Sequence, residues 1–280
     1  MTGYLILIAL CVLGANAIPK PVAQSNAQKG RVGGTPDPVV ALLAPHACMI
    51  LVHRTNLNGT NTAALGSGSI ISTRHVLTAA HLVQGEVIRF QIGFIVGTSR
   101  RLVDSTFRLI HEDYDNSDFS NDIALLFLQG TATFPRTNVI TISTDEAPPA
   151  AGPLFTVGFG FTAANSTGAS SDPHEAAQEP IECDLGDVEA ADTHFCAIDN
   201  AAATFVCPGD NGAGCFSGDA TAVENNVLVG VASRVLAGCA ESQQTGYTIV
   251  GKYVAWITNV TGIPVPTFIE NYNKLHNARL

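Results

Sequence analysis

Cys207-Pro208-Gly209-Asp210-Asn211-Gly212-Ala213-Gly214 crowds three glycines, a proline and an aspartate into eight residues that open on a cysteine. Glycine reaches positive φ without steric cost, and an aspartate bonds its own neighbouring backbone, so the stretch reads as a tight turn pinned by a disulfide. On either side, short apolar runs such as Met49 to Val52, Ile88 to Ile95 and Val227 to Val231 are separated by clusters of Gly, Asn, Asp, Ser and Pro. That alternation is the pattern of an antiparallel all-β fold. Helix is expected mainly around Val250 to Thr258, with a turn after His81. The chain carries no repeat of solenoid length and no coiled-coil heptads.

Two upstream segments end on residues able to do acid–base work. Gly68-Ser69-Ile70-Ile71-Ser72-Thr73-Arg74-His75-Val76-Leu77-Thr78-Ala79-Ala80-His81 closes on a histidine, and His111-Glu112-Asp113-Tyr114-Asp115 leads into Asn121-Asp122-Ile123-Ala124-Leu125-Leu126. Further on stand Gly158-Phe159-Gly160, Tyr247-Thr248-Ile249-Val250 and Tyr253-Val254-Ala255-Trp256-Ile257. Taken in this order, the segments resemble the trypsin-like (chymotrypsin-family, peptidase S1) serine proteases, with their T-A-A-H, H-x-x-Y, N-D-I-A-L-L, G-W-G, C-x-G-D-S-G, Y-T-x-V and W-I elements. The resemblance covers roughly residues 31 to 258. It implies an all-β fold of two six-stranded antiparallel β-barrels of the chymotrypsin type with a C-terminal helix. It also implies a general base at His81, an orienting carboxylate at Asp122 and an oxyanion hole formed by the amides of Gly209 and Asn211.

The chain departs from the family at the residue that does the chemistry. Asn211 stands where the family has its serine nucleophile, and a carboxamide has no hydroxyl for a histidine to deprotonate. The nearest rival, Ser217 in Cys215-Phe216-Ser217-Gly218-Asp219-Ala220, would put Phe216 at the family's buried aspartate; aligning Gly218-Asp219 instead puts Ala220 at the nucleophile. The eleven residues from Cys196 to Cys207 match the family and favour Asn211. The stretch from Asn211 to Gly230 is longer than usual, and a surface excursion is expected around Cys215 to Asn226. By the same alignment the specificity pocket falls on Phe205, Ser233 and Val235, with Arg234 in place of the usual tryptophan. Phe205 replaces a trypsin-like aspartate, and Val235 replaces a glycine wall.

Other family features are partly kept. Arg31-Val32-Gly33-Gly34 resembles the mature start I-V-G-G, and Asp210 would be the acid that pairs with the new α-ammonium. If cleavage follows Gly30 the leading side chain is an arginine, costly to bury unpaired; if it follows Arg31 the start is one residue short. The resemblance pairs Cys183 with Cys196 and Cys207 with Cys239. The family bridge beside the histidine is absent, because Gly66 and Leu82 occupy its positions. Cys48 and Cys215 are left to pair with each other, to stay free and buried, or to bond to a partner. No C-x-x-C or H-x-x-x-H spacing suggests a metal, and no cofactor is expected.

The 280 residues suit one double-barrel domain and leave no room for another. The apolar run Tyr4 to Ala15 closing on Ala15-Asn16-Ala17 is too short to span a bilayer and reads as a signal peptide. The expected layout is a signal peptide at 1–17, a pro-segment at 18–31, the protease-like domain at 32–260 and an extension at 261–280. The chain carries a formal charge of −10; removing residues 1–30 takes away Lys20 and Lys29, leaving 12 basic against 24 acidic residues, or −12. Such a surface disfavours nucleic acid and anionic membranes, and leaves cationic protein partners or simple solubility. Sequons at Asn58, Asn165 and Asn259 fit a glycosylated secreted protein. The expectation is a secreted, monomeric serine protease homologue without proteolytic activity that binds a protease, zymogen or inhibitor through loops such as 54–65, 164–180 or 212–226. The alternative is an active secreted serine-type endopeptidase.

Overall fold

The computed structural model describes residues 44–263, less 57, 151, 163–169, 171, 185–191, 200–204, 220–221, 237 and 240–242. The expected signal peptide, pro-segment, Arg31 and Asn165, and the C-terminal extension beyond residue 263, lie outside the described residues.

Among the described residues, fourteen strands build two barrel-type sheets. The first sheet contains β1 (Ala47–Thr55), β2 (Asn61–Ile70), β3 (His75–Thr78), β4 (Arg89–Val96), β5 (Ser99–Ser105), β6 (Phe107–Ile110) and β7 (Ala124–Phe127). The second contains β8 (Thr141–Ile142), β9 (Leu154–Gly158), β10 (His174–Ile181), β11 (His194–Asp199), β12 (Gly214–Asp219), β13 (Ala222–Arg234) and β14 (Gln244–Ile249). In the second sheet the order β12-β9-β10-β11-β14-β13 returns to β12, closing a six-stranded antiparallel barrel, with β8 added parallel to β13.

The first sheet runs β5-β4-β1-β2-β3-β7-β6 and is a half-barrel of seven strands rather than the closed six expected. Its two edges are consecutive in the chain, separated only by Thr106. Ser105 makes the corner: its buried hydroxyl donates to the Phe127 carbonyl at 2.6 Å and accepts from the Phe107 amide at 3.3 Å. One strand therefore bends from one edge to the other, and the backbone bonding is split at the bend.

Alternating side chains explain where the core sits. Ile50 and Val52 on β1, Phe90 and Ile92 on β4, and Val76 and Leu77 on β3 are fully buried. Each contributes about 1.5–3 kcal/mol of burial. Phe94 and Phe134 meet edge to face at 4.9 Å at the barrel end. The Cys215–Asn226 stretch is not a surface excursion at its base: on β12, Cys215 is buried in the core of the second barrel and Phe216 in the core shared with the first, and β12 and β13 form one long hairpin. Extra residues lengthen a hairpin because the ladder satisfies their backbone groups.

A 3₁₀ turn at Val250–Tyr253 continues into a helix at Val254–Thr261, ended by Gly262 at φ 69°. The helix leaves β14 of the second barrel and packs on the first, burying Val254 and Ile257. The Tyr253 hydroxyl donates to Asn121 Oδ1 at 2.9 Å, the Trp256 indole donates to Glu112 at 3.0 Å, and the His111 ring lies 5.1 Å from each aromatic. These contacts fix the loop immediately before Asp122. No helix among the described residues is long and apolar enough to cross a membrane.

Candidate active site

His81 sits on a single helical turn, Ala80–Val83, held by burial of Ala80, Leu82 and Val83. Its backbone N–H donates to Asp122 Oδ1 at 2.8 Å, and its ring Nδ1 lies 2.7 Å from Asp122 Oδ2. The Asp122 side chain is fully buried, while the histidine side chain keeps 18% of its exposure. A carboxylate only accepts, so Nδ1 carries the hydrogen and Nε2 of the neutral ring is left as an acceptor. Geometry alone thus sets the tautomer a general base requires.

The second barrel completes the surroundings of Asp122. Ser233 on β13 donates to Oδ2 at 2.5 Å, and Thr248 on β14 donates to the Asp122 carbonyl at 2.9 Å. Three donors surround the buried carboxylate, which offsets its desolvation. The hydroxyl of Ser233, read from the sequence as part of a specificity pocket, is spent on this network.

The turn that opened the sequence reading folds across the barrel junction. Gly209 and Gly212 have φ of 96° and 83°. A Cβ on Gly212 would lie 2.1 Å from Thr78 Oγ1 and 2.3 Å from the Ser67 carbonyl, so only glycine lets the turn approach the strand that leads to His81. Ser67, fully buried on β2, is the tie point. Its N–H bonds the Asn211 carbonyl at 2.8 Å, and its hydroxyl donates to the Gly209 carbonyl at 3.2 Å while accepting from the Phe159 amide at 3.1 Å. The carboxamide of Asn211 makes no hydrogen bond with the described residues, and neither do the N–H groups of Gly209 and Asn211.

Asp210 points the other way, into the second barrel. Its carboxyl accepts from the Gly160 amide at 2.7 Å and the Cys207 amide at 2.9 Å. A Cβ on Gly158 or Gly160 would lie 2.1 Å or 2.6 Å from that carboxyl, which explains the Gly-Phe-Gly of the sequence. Burial pushes Asp210 up to about 7 against the pull of the two amides. A narrow recess lined by Thr156, Gly160, Phe205, Asp210 and Glu175 opens beside it, and burial also raises Glu175.

Phe205 is therefore at the recess of Asp210, packed against Phe161 and the Cys207–Cys239 disulfide, whereas neither Ser233 nor Val235 lines that recess. Val235 packs instead on the core of the second barrel. Cys183 and Cys196 are bonded with Cα atoms 5.0 Å apart, as are Cys207 and Cys239 at 4.8 Å. Cys48 and Cys215 are both free and buried, so they do not pair with each other. Asn58 and Asn259 are exposed.

Sequence reasoning missed Phe119, whose ring stands 5.6 Å from that of His81 and 4.6 Å from the Arg234 guanidinium carbon. The one sequence signal was its place three residues before Asp122. Ser67 was missed as well, because a serine inside Gly66-Ser67-Gly68 looks like any other small strand residue.

Comparison with known proteins agrees with this geometry. The trypsin family model matches residues 45–257. The chain is 33% identical to trypsin Blo t 3 of Blomia tropicalis, over 73% of this chain and 79% of the relative. It is 30% identical to trypsin Tyr p 3.0101 of Tyrophagus putrescentiae, over 90% of both. HL collagenase superposes with a TM-score of 0.63 at 20% identity, covering 82% of this chain and 98% of that one, which speaks for the fold. With its two barrels, its His81–Asp122 pair at their junction and these matches, the chain belongs to the trypsin family of serine proteases.

Proposed function

We propose that this chain is a secreted serine protease homologue that binds protein without hydrolysing it. One observation carries the reading: the glycine-held turn that abuts the His81 segment presents a carboxamide, that of Asn211. His81 is oriented as a base, but the carboxamide of Asn211 cannot become an acyl-carrying nucleophile. Loss of the serine in this mechanism costs on the order of a million-fold in rate. Burial accounts for the rest of the pair without catalysis, since the Asp122 carboxylate would be a costly hole without its donors. The two disulfides point to an oxidising, extracellular compartment. In this reading Gly209 and Asn211 keep the backbone of an oxyanion hole, Asp210 is the acid an α-ammonium would meet, and the protein acts as a monomer toward a protease, zymogen or inhibitor. It uses no cofactor or metal, and touches neither nucleic acid nor membrane.

The intact His81–Asp122–Ser233 network favours one second reading, an active endopeptidase. A fluorophosphonate probe and a diverse peptide library, applied to the wild type and to Asn211→Ser with products read by mass spectrometry, separate the two. Silence from the wild type with labelling of Asn211→Ser is expected. Labelling or cleavage by the wild type, at Ser217 or elsewhere, overturns the proposal.

A further inference from the structure

Five arginines among the described residues are partly buried, and four of them have oxygen acceptors. Arg54 donates to the carbonyls of Leu82 and Gln84, Arg74 to those of Leu128 and Gly130, Arg108 to that of Gly85, and Arg89 pairs with Asp104. Arg234 has none: it forms no hydrogen bond and no ion pair with the described residues. Among the described residues, then, this is the partly buried guanidinium whose five N–H donors meet no oxygen, in a protein of net charge −10.

Its position is as informative as its lack of partners. Arg234 follows Ser233, whose hydroxyl holds Asp122, and its guanidinium carbon lies over the Phe119 ring at 4.6 Å, while that ring meets His81 edge to face. Phe119 is held there at φ 64°, in the left-handed region that an aromatic residue avoids. Its N–H is fixed by the Asp115 carbonyl at 2.9 Å, and the Asp118 carboxyl takes the next amide at 2.8 Å. The loop thus spends conformational energy to hold one ring against both the histidine and the guanidinium. The ring sits against the guanidinium, and no acceptor among the described residues takes its N–H groups, a donor fork that suits a planar, bidentate anion.

We infer that Arg234, seated on Phe119 beside His81, is a specificity-determining residue that selects polypeptides placing an aspartate or glutamate side chain against it. The carboxylate fits the fork, and the ring on one side shields the pair from water. This deepens the proposed binding role and rests on the reading that polypeptide occupies the face of the molecule around His81.

The test is an array of synthetic peptides, each made with glutamate or glutamine at every position in turn, probed with the wild type, Arg234→Gln and Arg234→Lys at low and at physiological salt. Thermal melts check that both variants fold. Wild type should prefer the glutamate form of its ligands by about tenfold, the ratio should fall to about one in Arg234→Gln, and Arg234→Lys should keep part of it. A ratio that survives in Arg234→Gln, or none in the wild type, overturns the inference and leaves the binding role standing. If the wild type cuts the peptides, the non-hydrolytic reading falls, and the same glutamate-to-glutamine ratio in cleavage rates still decides about Arg234. Peptides neither bound nor cut overturn both.

Discussion

Replacing Asp210 by asparagine should remove one cause of the loss of stability that the native chain suffers as pH rises from 4 to 8. Asp210 is buried among Gly158, Gly160 and Cys207, and the amides of Gly160 and Cys207 return only part of the hydration it loses. Its carboxyl holds a proton up to about pH 7 in the folded state, against an ordinary value of 3.8. Between those values the folded chain binds more protons than the unfolded one, so stability falls as pH rises. A difference of about 3 pH units corresponds to about 4 kcal/mol, fully present below pH 4 and lost by pH 7 to 8. Asparagine replaces one acceptor by a donor, a constant offset of about 1–3 kcal/mol at every pH. The informative quantity is therefore the change in the gap between the two proteins. Urea unfolding of the unreduced full chain from pH 4 to pH 8 should show the variant gaining about 4 kcal/mol on the wild type. Glu175, raised in the same direction, and Asp118, lowered and exposed, are common to both proteins and cancel in the difference. A gap constant to within about 0.5 kcal/mol would refute the reasoning. It would mean that a cation reaches the carboxylate and removes its desolvation.

The remaining expectations are simpler. Gly66→Ala would put a Cβ 2.1 Å from Leu82 Cδ2 and 2.9 Å from its Cγ, pushing on the residue after His81; a loss of about 1–3 kcal/mol in chemical denaturation is expected, and an unchanged midpoint would show that Leu82 can yield freely. Thiol titration of the chain freed of residues 1–17 should find no reactive group when native and two when unfolded without reductant, from Cys48 and Cys215, which burial holds to high thiol values. Zero thiols after unfolding would mean that the two are bridged.

The opening stretch and the histidine and aspartate segments were enough, by themselves, to establish the fold and to name the pair at its centre. A turn that needs positive φ at Gly209 and Gly212 can be filled by few residues, and apolar alternation at period two follows from the pleat of a strand. Asn211 belongs to the same class, because the incapacity of a carboxamide as a nucleophile is chemistry that no packing alters. Only the tertiary structure decided what those residues touch. Arg234 meets Phe119 across 115 positions of chain, and Ser233 meets Asp122 across 111, so no local pattern encodes either contact. The fate of Cys48 and Cys215 depended on whether β1 and β12 face each other with their sulfurs in reach, and the length between Asn211 and Gly230 turned out to extend a hairpin. Local conformation is written in side-chain sterics a few residues apart; the site is written in the docking of two barrels, where only the finished fold brings the partners within hydrogen-bond range.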